Sequence, residues 1–186
     1  MSKIIDAFDA QWWTGLQVIA WILLRDRDAV IRLPAFGKDV RGTVAKVHDG
    51  DTLALTNGTK IRLYGYDAPE LRQQCRGANG QCVPCGEQAR DFLSGLVLGA
   101  AVFCDVTGSS YDRIVGRCSA GGVDIDLAML SAGQGLAYTK YLRGYDRQSY
   151  PAAEQSAHEA KLRIWATTFV KPEDWRHHHA RMECER

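Results

Sequence analysis

The chain has 186 residues, of which 46% are apolar and 24% are charged, and its formal net charge is +1. This length is enough for one well-buried core with extensions, and it is too short for two ordinary domains. The near-neutral charge excludes a chain-wide basic surface of the kind that binds nucleic acid without further help. Any affinity for nucleic acid must come from local clusters such as Lys140, Arg143 and Arg147, for which a solvated charged surface is the alternative.

The first 38 residues predict a helical extension. A capping-box pattern, Thr14 with Gln17, comes before the apolar run 18–24, and arginines follow that run. The run is far shorter than the ~20 residues needed to cross a bilayer, so no transmembrane segment is predicted. A buried or partner-facing helix is the favoured interpretation, with an uncleaved anchor or a degenerate signal peptide as the alternative.

Three strand-like segments follow, at residues 43–47, 52–55 and 61–64, and Asn57-Gly58 between the last two is a strong hairpin signal. Acidic motifs lie after the first and the third of these segments. They are Asp49-Gly50-Asp51-Thr52 and Arg62-Leu63-Tyr64-Gly65-Tyr66-Asp67-Ala68-Pro69-Glu70. In a small barrel such strand ends can converge at one rim. Carboxylates with an arginine can hold a hard divalent cation against a phosphodiester and neutralise its developing charge.

The rest of the chain alternates between helix-like and strand-like segments. The predicted elements are a helix at 86–93, a strand at 101–106, an arginine-bearing strand at 113–119, a helix ending in 133–138, a helix closing on 161–165, and a short C-terminal helix opened by Pro172.

Six cysteines bear on the compartment in which the protein works. Cys75 and Cys85 bracket a short loop that a disulfide could stabilise by about 3 kcal/mol, and Cys104 and Cys118 could face each other on successive strands. The other two cysteines have no assigned partner. Inert thiols are one alternative, and a metal or redox motif at 82–85 is another, although a fourth zinc ligand and a redox fold context are both missing from the sequence.

The acidic motifs resemble those of the staphylococcal nuclease (thermonuclease-like) family, and the order and spacing of the elements are similar over residues 41–165. The resemblance implies an α+β, mainly β, fold: a five-stranded OB-fold barrel with packed helices. It places the domain at residues 39–166, between a helical N-terminal extension (1–38) and a helical C-terminal extension (167–186). The cysteine pattern resembles that of exported bacterial members of the family.

The resemblance also implies a metal site. Asp51 and Asp67 correspond to the carboxylate ligands of a calcium ion, and the backbone carbonyl of Ala68 would be a third oxygen ligand. Asp49 is expected to support the metal shell and its turn, and Thr52 to help order coordinated water. For Asp49 in particular, a plain turn residue is the alternative, since a glycine follows it.

The remaining roles concern the phosphodiester. By the same resemblance, Glu70 would accept a proton from the attacking water or orient it, and Arg62 and Arg113 would hold the phosphate and stabilise the transition state. Tyr111 and Tyr141 would stack on a base or bind a phosphate. A solvent-facing strand arginine is the alternative for Arg62, and plain packing is the alternative for Tyr141.

The second arginine departs from the family pattern. The family usually has Asp-x-Tyr-Gly-Arg, whereas this chain has Ser109-Ser110-Tyr111-Asp112-Arg113. Spacing to the next helix favours Arg113, with Arg117 as the alternative. Two interpretations of Asp112 are open. It could replace the missing glycine in a left-handed turn, which aspartate tolerates, or it could compete with phosphate for Arg113 and add negative charge near the substrate.

The function implied is that of a calcium-dependent nuclease with low sequence specificity, acting on DNA and extending to RNA, and leaving 3'-phosphate and 5'-hydroxyl ends. The alternative is a catalytically silent nucleic-acid or protein-binding module on the same fold. No stable protein partner is inferable, and a monomer is expected. The cysteines favour an extracellular or periplasmic location, and the N-terminus leaves a cytoplasmic one open.

Overall fold

The computed structural model describes residues 39–177 and Cys184, and its strands follow the alternation of the sequence. Within these residues the elements, in chain order, are β1 (Asp39–Val47), β2 (Thr52–Leu55), β3 (Lys60–Leu63), β4 (Tyr66–Asp67), β5 (Cys75–Gly77), β6 (Cys82–Val83), α1 (Cys85–Val97), β7 (Ala101–Ser110), β8 (Arg113–Ala120), β9 (Val123–Asp124), α2 (Ile125–Ser131), β10 (Leu136–Ala137), α3 (Asp146–Glu159), β11 (Thr167–Thr168) and α4 (Pro172–Arg176), with short 3-10 turns at Thr139–Tyr141 and Arg163–Ala166.

Five strands form a closed barrel. β1, β2 and β3 are an antiparallel meander, β1 also pairs with β7, and β7 pairs with β8. The barrel closes where β3 and β8 run parallel, with Ile61 opposite Ile114 and Leu63 opposite Gly116. Register irregularities in β1 and β7 bend these strands, as closure requires. The predicted five-stranded OB-fold barrel is confirmed.

The core lies between the barrel and the helices that cover it. Each large apolar side chain that is fully buried there contributes about 1.5–3 kcal/mol. The largest come from the barrel strands, the β4 turn and the helices α1, α2 and α3: Leu53, Leu55, Ile61, Leu63, Tyr66, Leu93, Met129, Leu130 and Tyr150. Asp124 begins α2 by accepting a hydrogen bond from the Leu127 amide at 3.0 Å. Since Tyr150 also donates to Asp124, this cap ties α2 to α3.

Two helix boundaries differ from the prediction. The predicted helix ending in 133–138 stops at Ser131, Gly133 follows with φ of +69°, and residues 136–137 form β10 instead. The predicted helix over 161–165 ends at Glu159, and Lys161 follows it with φ of +51°. In both cases a left-handed residue stops the helix and redirects the chain. The predicted N-terminal helix lies outside the described residues.

Two small sheets complete the structure, and both bear on the candidate site. β10 pairs with β4, with Leu136 opposite Asp67, so the backbone beside this aspartate is held by strand pairing. β11 pairs with β5 and β5 pairs with β6, which joins the loop after Glu70 to the C-terminal part of the chain. The sequence analysis did not predict either sheet.

Three disulfides link the described cysteines. Cys75 joins Cys85, and Cys104 joins Cys118, which is its direct partner across the β7–β8 ladder. These are the two pairs that the sequence analysis favoured. Cys82 joins Cys184. Because Cys82 and Cys85 belong to different disulfides, the alternative of a metal or redox motif at 82–85 is wrong. No helix within residues 39–177 is long and apolar enough to cross a membrane.

The buried carboxyl of Asp126 gives the stability a pH dependence. Burial in α2 raises its pKa well above the ordinary value of 3.8, and the nearby charge of Asp124 raises it further. The folded protein keeps this proton where the unfolded chain releases it. The stabilising contribution is therefore complete below about pH 4 and is lost as the pH rises through the folded pKa. We expect Asp126→Asn to flatten the fall in free energy of unfolding as the pH rises above about 4.

The measurement is urea unfolding of the wild type and the variant at several pH values. Asp91→Asn is the matched control, since Asp91 is an exposed helix residue paired with Arg90. An unchanged slope in Asp126→Asn, equal to that of the control, would contradict the assignment.

Candidate active site

The two acidic motifs meet because Gly50 has no side chain. A Cβ at this position would lie 2.6 Å from the Ala68 Cβ and 2.8 Å from the Ala89 Cβ, so the turn after β1 packs directly against the turn after β4 and against α1. Within its own turn, Asp49 accepts a hydrogen bond from the Asp51 amide at 3.0 Å. Local turn chemistry and one close contact together place Asp51 beside Asp67.

Replacing Gly50 by alanine is therefore expected to destabilise the protein and to move Asp51. Overpacking of this kind costs about 1–3 kcal/mol. Thermal and urea unfolding of Gly50→Ala measure this effect. Gly58→Ala is not a suitable control because Gly58 has positive φ, whereas Gly95→Ala is suitable because a Cβ on Gly95 would meet open space. Equal losses in the Gly50 and Gly95 variants would show that the contact is not tight.

Two buried carboxylates converge on one nitrogen. Nη2 of Arg62 lies 2.6 Å from Oδ2 of Asp51 and 2.9 Å from Oδ1 of Asp67, and both carboxylates are more than 90% buried. Burial raises the pKa of Asp51 to about 7; Arg62 opposes this shift, and the neighbouring Asp49 adds to it. The pair can therefore accept positive charge at one point, which is the electrostatic requirement of a cation site.

Thr52 links this pair to the second arginine. Its hydroxyl donates to Oδ1 of Asp51 at 2.8 Å and accepts from Nη1 of Arg113 at 3.1 Å. Arg117 lies elsewhere, with its guanidinium 2.8 Å from Asp124 and 3.3 Å from Asp146. Of the two arginines on β8 that the sequence analysis weighed, Arg113 contacts Thr52 beside the acidic pair, and Arg117 joins the α2–α3 cap.

The left-handed conformation predicted for Asp112 is wrong. The left-handed residue of the β7–β8 hairpin is Tyr111, with φ of +55°. Asp112 pairs with Lys60, from Oδ2 to Nζ at 2.6 Å, on an exposed part of the surface. Lys60 is the main cause of the lowered pKa of Asp112, and the charge of Arg113 contributes less.

The sequence analysis missed a third arginine, Arg176 at the end of α4. Its Nη1 donates to Oδ1 of Asp67 at 2.8 Å and to Oε1 of Glu70 at 2.9 Å, and its Nη2 donates to Oδ2 of Asp67 at 3.2 Å. No local pattern distinguishes this arginine from a solvated one, because its contacts lie more than a hundred residues away in sequence. Tertiary contacts return the segment to the site, among them the pairing of β11 with β5.

A cavity of about 650 Å³ opens beside these groups. Its lining combines arginines with tyrosines, among them Arg62, Arg113, Arg143, Arg176, Tyr111 and Tyr141. Tyr111 is 98% exposed. Tyr141 packs edge-on against Tyr138 with ring centroids 4.9 Å apart, and its carbonyl accepts a 2.6 Å hydrogen bond from the Tyr64 hydroxyl. The cavity can therefore take an anionic ligand that carries flat rings.

The donor set determines which cofactor could fit. Carboxylate and carbonyl oxygens suit hard divalent cations, and Asp51 and Asp67 supply two such groups at one point. Nowhere in the described part of the chain do three acidic, histidine or cysteine side chains cluster closely enough to hold a metal by themselves. A cation bound here would therefore need further oxygens, from backbone carbonyls such as that of Ala68 and from water.

The barrel and this cluster define a class of protein: an OB-fold domain whose candidate active site combines carboxylates with arginines. Residues 60–167 match the family described as staphylococcal nuclease homologue. Because the match covers more than half of the chain, the protein belongs to this family. Asp51 and Thr52 lie before the matched residues, and Arg176 lies beyond them.

Three relatives are similar to this chain, and the names of two of them include the word endonuclease. The chain is 29% identical over 150 residues to an "Uncharacterized endonuclease" of Escherichia coli, covering 77% of this chain and 90% of that protein. It is 29% identical over 146 residues to the "Succinoglycan biosynthesis protein ExoI" of Rhizobium meliloti (strain 1021), covering 77% and 71%. It is also 33% identical over 114 residues to the "Probable endonuclease lcl3" of Pyrenophora tritici-repentis (strain Pt-1C-BFP), covering 57% and 41%.

The protein is an enzyme, a nuclease of the phosphodiester hydrolase class, and its substrate is nucleic acid. The family is generally metal-dependent.

Proposed function

We propose that the protein is a calcium-dependent nuclease that hydrolyses DNA, and RNA as a further substrate, with low sequence specificity. One observation carries the proposal: the buried carboxylates of Asp51 and Asp67 meet at a single nitrogen of Arg62, beside a cavity lined by arginines and tyrosines. Low sequence specificity follows from the side chains that line the cavity, since electrostatic attraction to phosphate and stacking on aromatic rings act on every nucleotide alike.

The proposed metal ligands are Asp51, Asp67 and the carbonyl of Ala68, with Asp49 and Thr52 supporting them. Calcium accepts six to eight oxygens in an irregular arrangement, and this suits a site with two protein carboxylates and room for water. When bound, the cation would neutralise charge on the scissile phosphodiester and make the phosphorus more electrophilic.

The proposed reaction uses three further side chains. Glu70 accepts a proton from water as the water oxygen forms a bond to phosphorus. Arg62 and Arg113 donate hydrogen bonds to the phosphoryl oxygens, whose negative charge grows in the transition state. The bond from phosphorus to the 5'-oxygen breaks, and that oxygen takes a proton from solvent water to become a hydroxyl. The products then carry 3'-phosphate and 5'-hydroxyl ends. Tyr111 and Tyr141 would hold the adjoining bases.

The three disulfides support an extracellular or periplasmic location, where such bonds persist. The location is tested by mass spectrometry, without reduction, of protein isolated from its native host. Linked peptides for all three pairs are expected, and six free thiols would contradict an exported location.

The function is tested with plasmid DNA, single-stranded DNA and RNA, each in calcium, in magnesium and in excess chelator. We expect cleavage of DNA in calcium and none in chelator. Product ends are identified with polynucleotide kinase, which labels a 5'-hydroxyl directly and labels a 5'-phosphate only after phosphatase treatment. Full cleavage in chelator would rule out the metal, and 5'-phosphate ends would rule out the proposed bond cleavage.

A further inference from the structure

The C-terminal segment, residues 167–177, lies almost entirely beyond the part of the chain that matches the family, yet it is tied to the domain at several points. Its strand β11 pairs with β5. The Val170 carbonyl accepts a 2.6 Å hydrogen bond from the Gln73 side chain. Beyond the segment, Cys184 is linked to Cys82 on β6. These connections hold α4 against the active site and leave Arg176 facing the acidic residues.

Arg176 occupies about half of the hydrogen-bonding capacity of Asp67. A carboxylate oxygen has about two acceptor positions. Oδ1 of Asp67 already accepts from Nη2 of Arg62 and from Nη1 of Arg176, and Oδ2 accepts from Nη2 of Arg176. The same Arg176 nitrogen that contacts Oδ1 also contacts Glu70. A cation that bound Asp67 would therefore compete for these oxygens and would be repelled by the guanidinium.

Of the two arginines that hold Asp67, Arg176 is the one more easily displaced. Arg62 is on strand β3, which pairs with a strand on each side in the closed barrel, and the Arg62 side chain is 15% exposed. Arg176 is the last residue of a five-residue helix, and its side chain is 26% exposed. Rotation about its side-chain bonds would carry the guanidinium into the adjoining cavity, which it already lines.

We infer that Arg176 competes with the divalent cation for Asp67 and Glu70, and that the tethered C-terminal segment thereby sets the cation concentration at which the enzyme becomes active. The inference rests on the proposed function, because it concerns the same carboxylates. In this arrangement the low-metal form keeps its acidic cluster neutralised by an internal cation, and the metal-loaded form releases Arg176 toward the cavity.

The test measures calcium binding directly, by isothermal titration calorimetry on chelator-treated protein. Arg176→Gln is expected to lower the Kd for calcium at least fivefold, because the competing charge is gone. Arg176→Lys, which keeps the charge but loses the two-nitrogen contact, should give an intermediate Kd. Lys171→Gln is the matched control: it removes one positive charge from an exposed position of the same segment and should leave the Kd unchanged.

Thermal unfolding gives a second readout that does not depend on activity. In chelator, Arg176→Gln should have a lower Tm than the wild type, because the acidic residues lose an ion-pair partner. Its Tm should rise more on addition of calcium. If Arg176→Gln does not fold, the Kd of Arg176→Lys decides the matter.

An equal or higher Kd in a folded Arg176→Gln protein, with calcium binding intact in the wild type, would overturn this inference and leave the proposed function standing. Absence of calcium binding in both the wild type and Arg176→Gln would instead defeat the proposed function, and the inference with it. Calcium binding by Arg176→Gln alone would support both.

Discussion

Replacing Asp51 by alanine is expected to reduce calcium-dependent cleavage by at least about a thousandfold. Asp51 is one of two carboxylates that meet at a single point, and its hydrogen bond to the Thr52 hydroxyl also connects it with Arg113. Its loss removes a proposed metal ligand and frees the hydroxyl that links the acidic pair to the second arginine. Initial rates of cleavage of a labelled single-stranded oligonucleotide measure the effect.

The fold should survive this change. Burial already penalises the ionised form of Asp51, as its pKa of about 7 indicates, so the alanine relieves an unfavourable desolvation while Arg62 keeps Asp67 as its partner. Circular dichroism and Tm should therefore stay close to those of the wild type. Asp91→Ala, on the surface of α1, serves as the matched carboxylate control and should keep full activity. Cleavage by folded Asp51→Ala above one-tenth of the wild-type rate would remove Asp51 from the site.

The second large effect is expected at Arg113. Alanine at this position should lower cleavage at least a hundredfold, which corresponds to about 2.7 kcal/mol of transition-state stabilisation. Arg113 lines the cavity beside Arg62. Among the described residues, its side chain makes one hydrogen bond, the 3.1 Å bond to the Thr52 hydroxyl, and no ion pair. Its remaining donors can therefore bind a phosphate without breaking a structural ion pair.

Arg117 is the matched control on the same strand. Its guanidinium is held by Asp124 and Asp146 at the α2–α3 cap, so Arg117→Ala should lower the Tm and reduce cleavage less than tenfold. Kinetics are compared below the Tm of both variants. An inactive Arg117→Ala beside an active Arg113→Ala would show that the assignment of the β8 arginines is wrong. Asp112→Gly should leave activity equal or higher, because it breaks only an exposed ion pair with Lys60 and removes a negative charge near Arg113.

Much of the barrel and half of the site could be predicted from local pattern. Alternation over residues 43–64 and the Asn57-Gly58 turn define the meander, because both depend on interactions between near neighbours in sequence. The Asp49-Gly50-Asp51 turn has the same character. Its aspartate bonds its own backbone two residues on. Once these strands are placed, their ends bring Asp51, Arg62 and Asp67 to the same rim of the barrel.

Other features depend on contacts between distant parts of the chain, and local pattern carries no record of them. Residues 136–137 form a strand because they pair with β4, and this tertiary pairing outweighs the local helical pattern. Cys82 forms a disulfide with Cys184, 102 residues away in sequence, and Arg176 forms an ion pair with Asp67, 109 residues away. Local sequence determined which residues could serve as metal ligands and which could donate hydrogen bonds to a phosphate. Tertiary structure alone decided that a C-terminal arginine holds one of those ligands, because an ion pair depends on the distance between two charges and not on their separation in sequence.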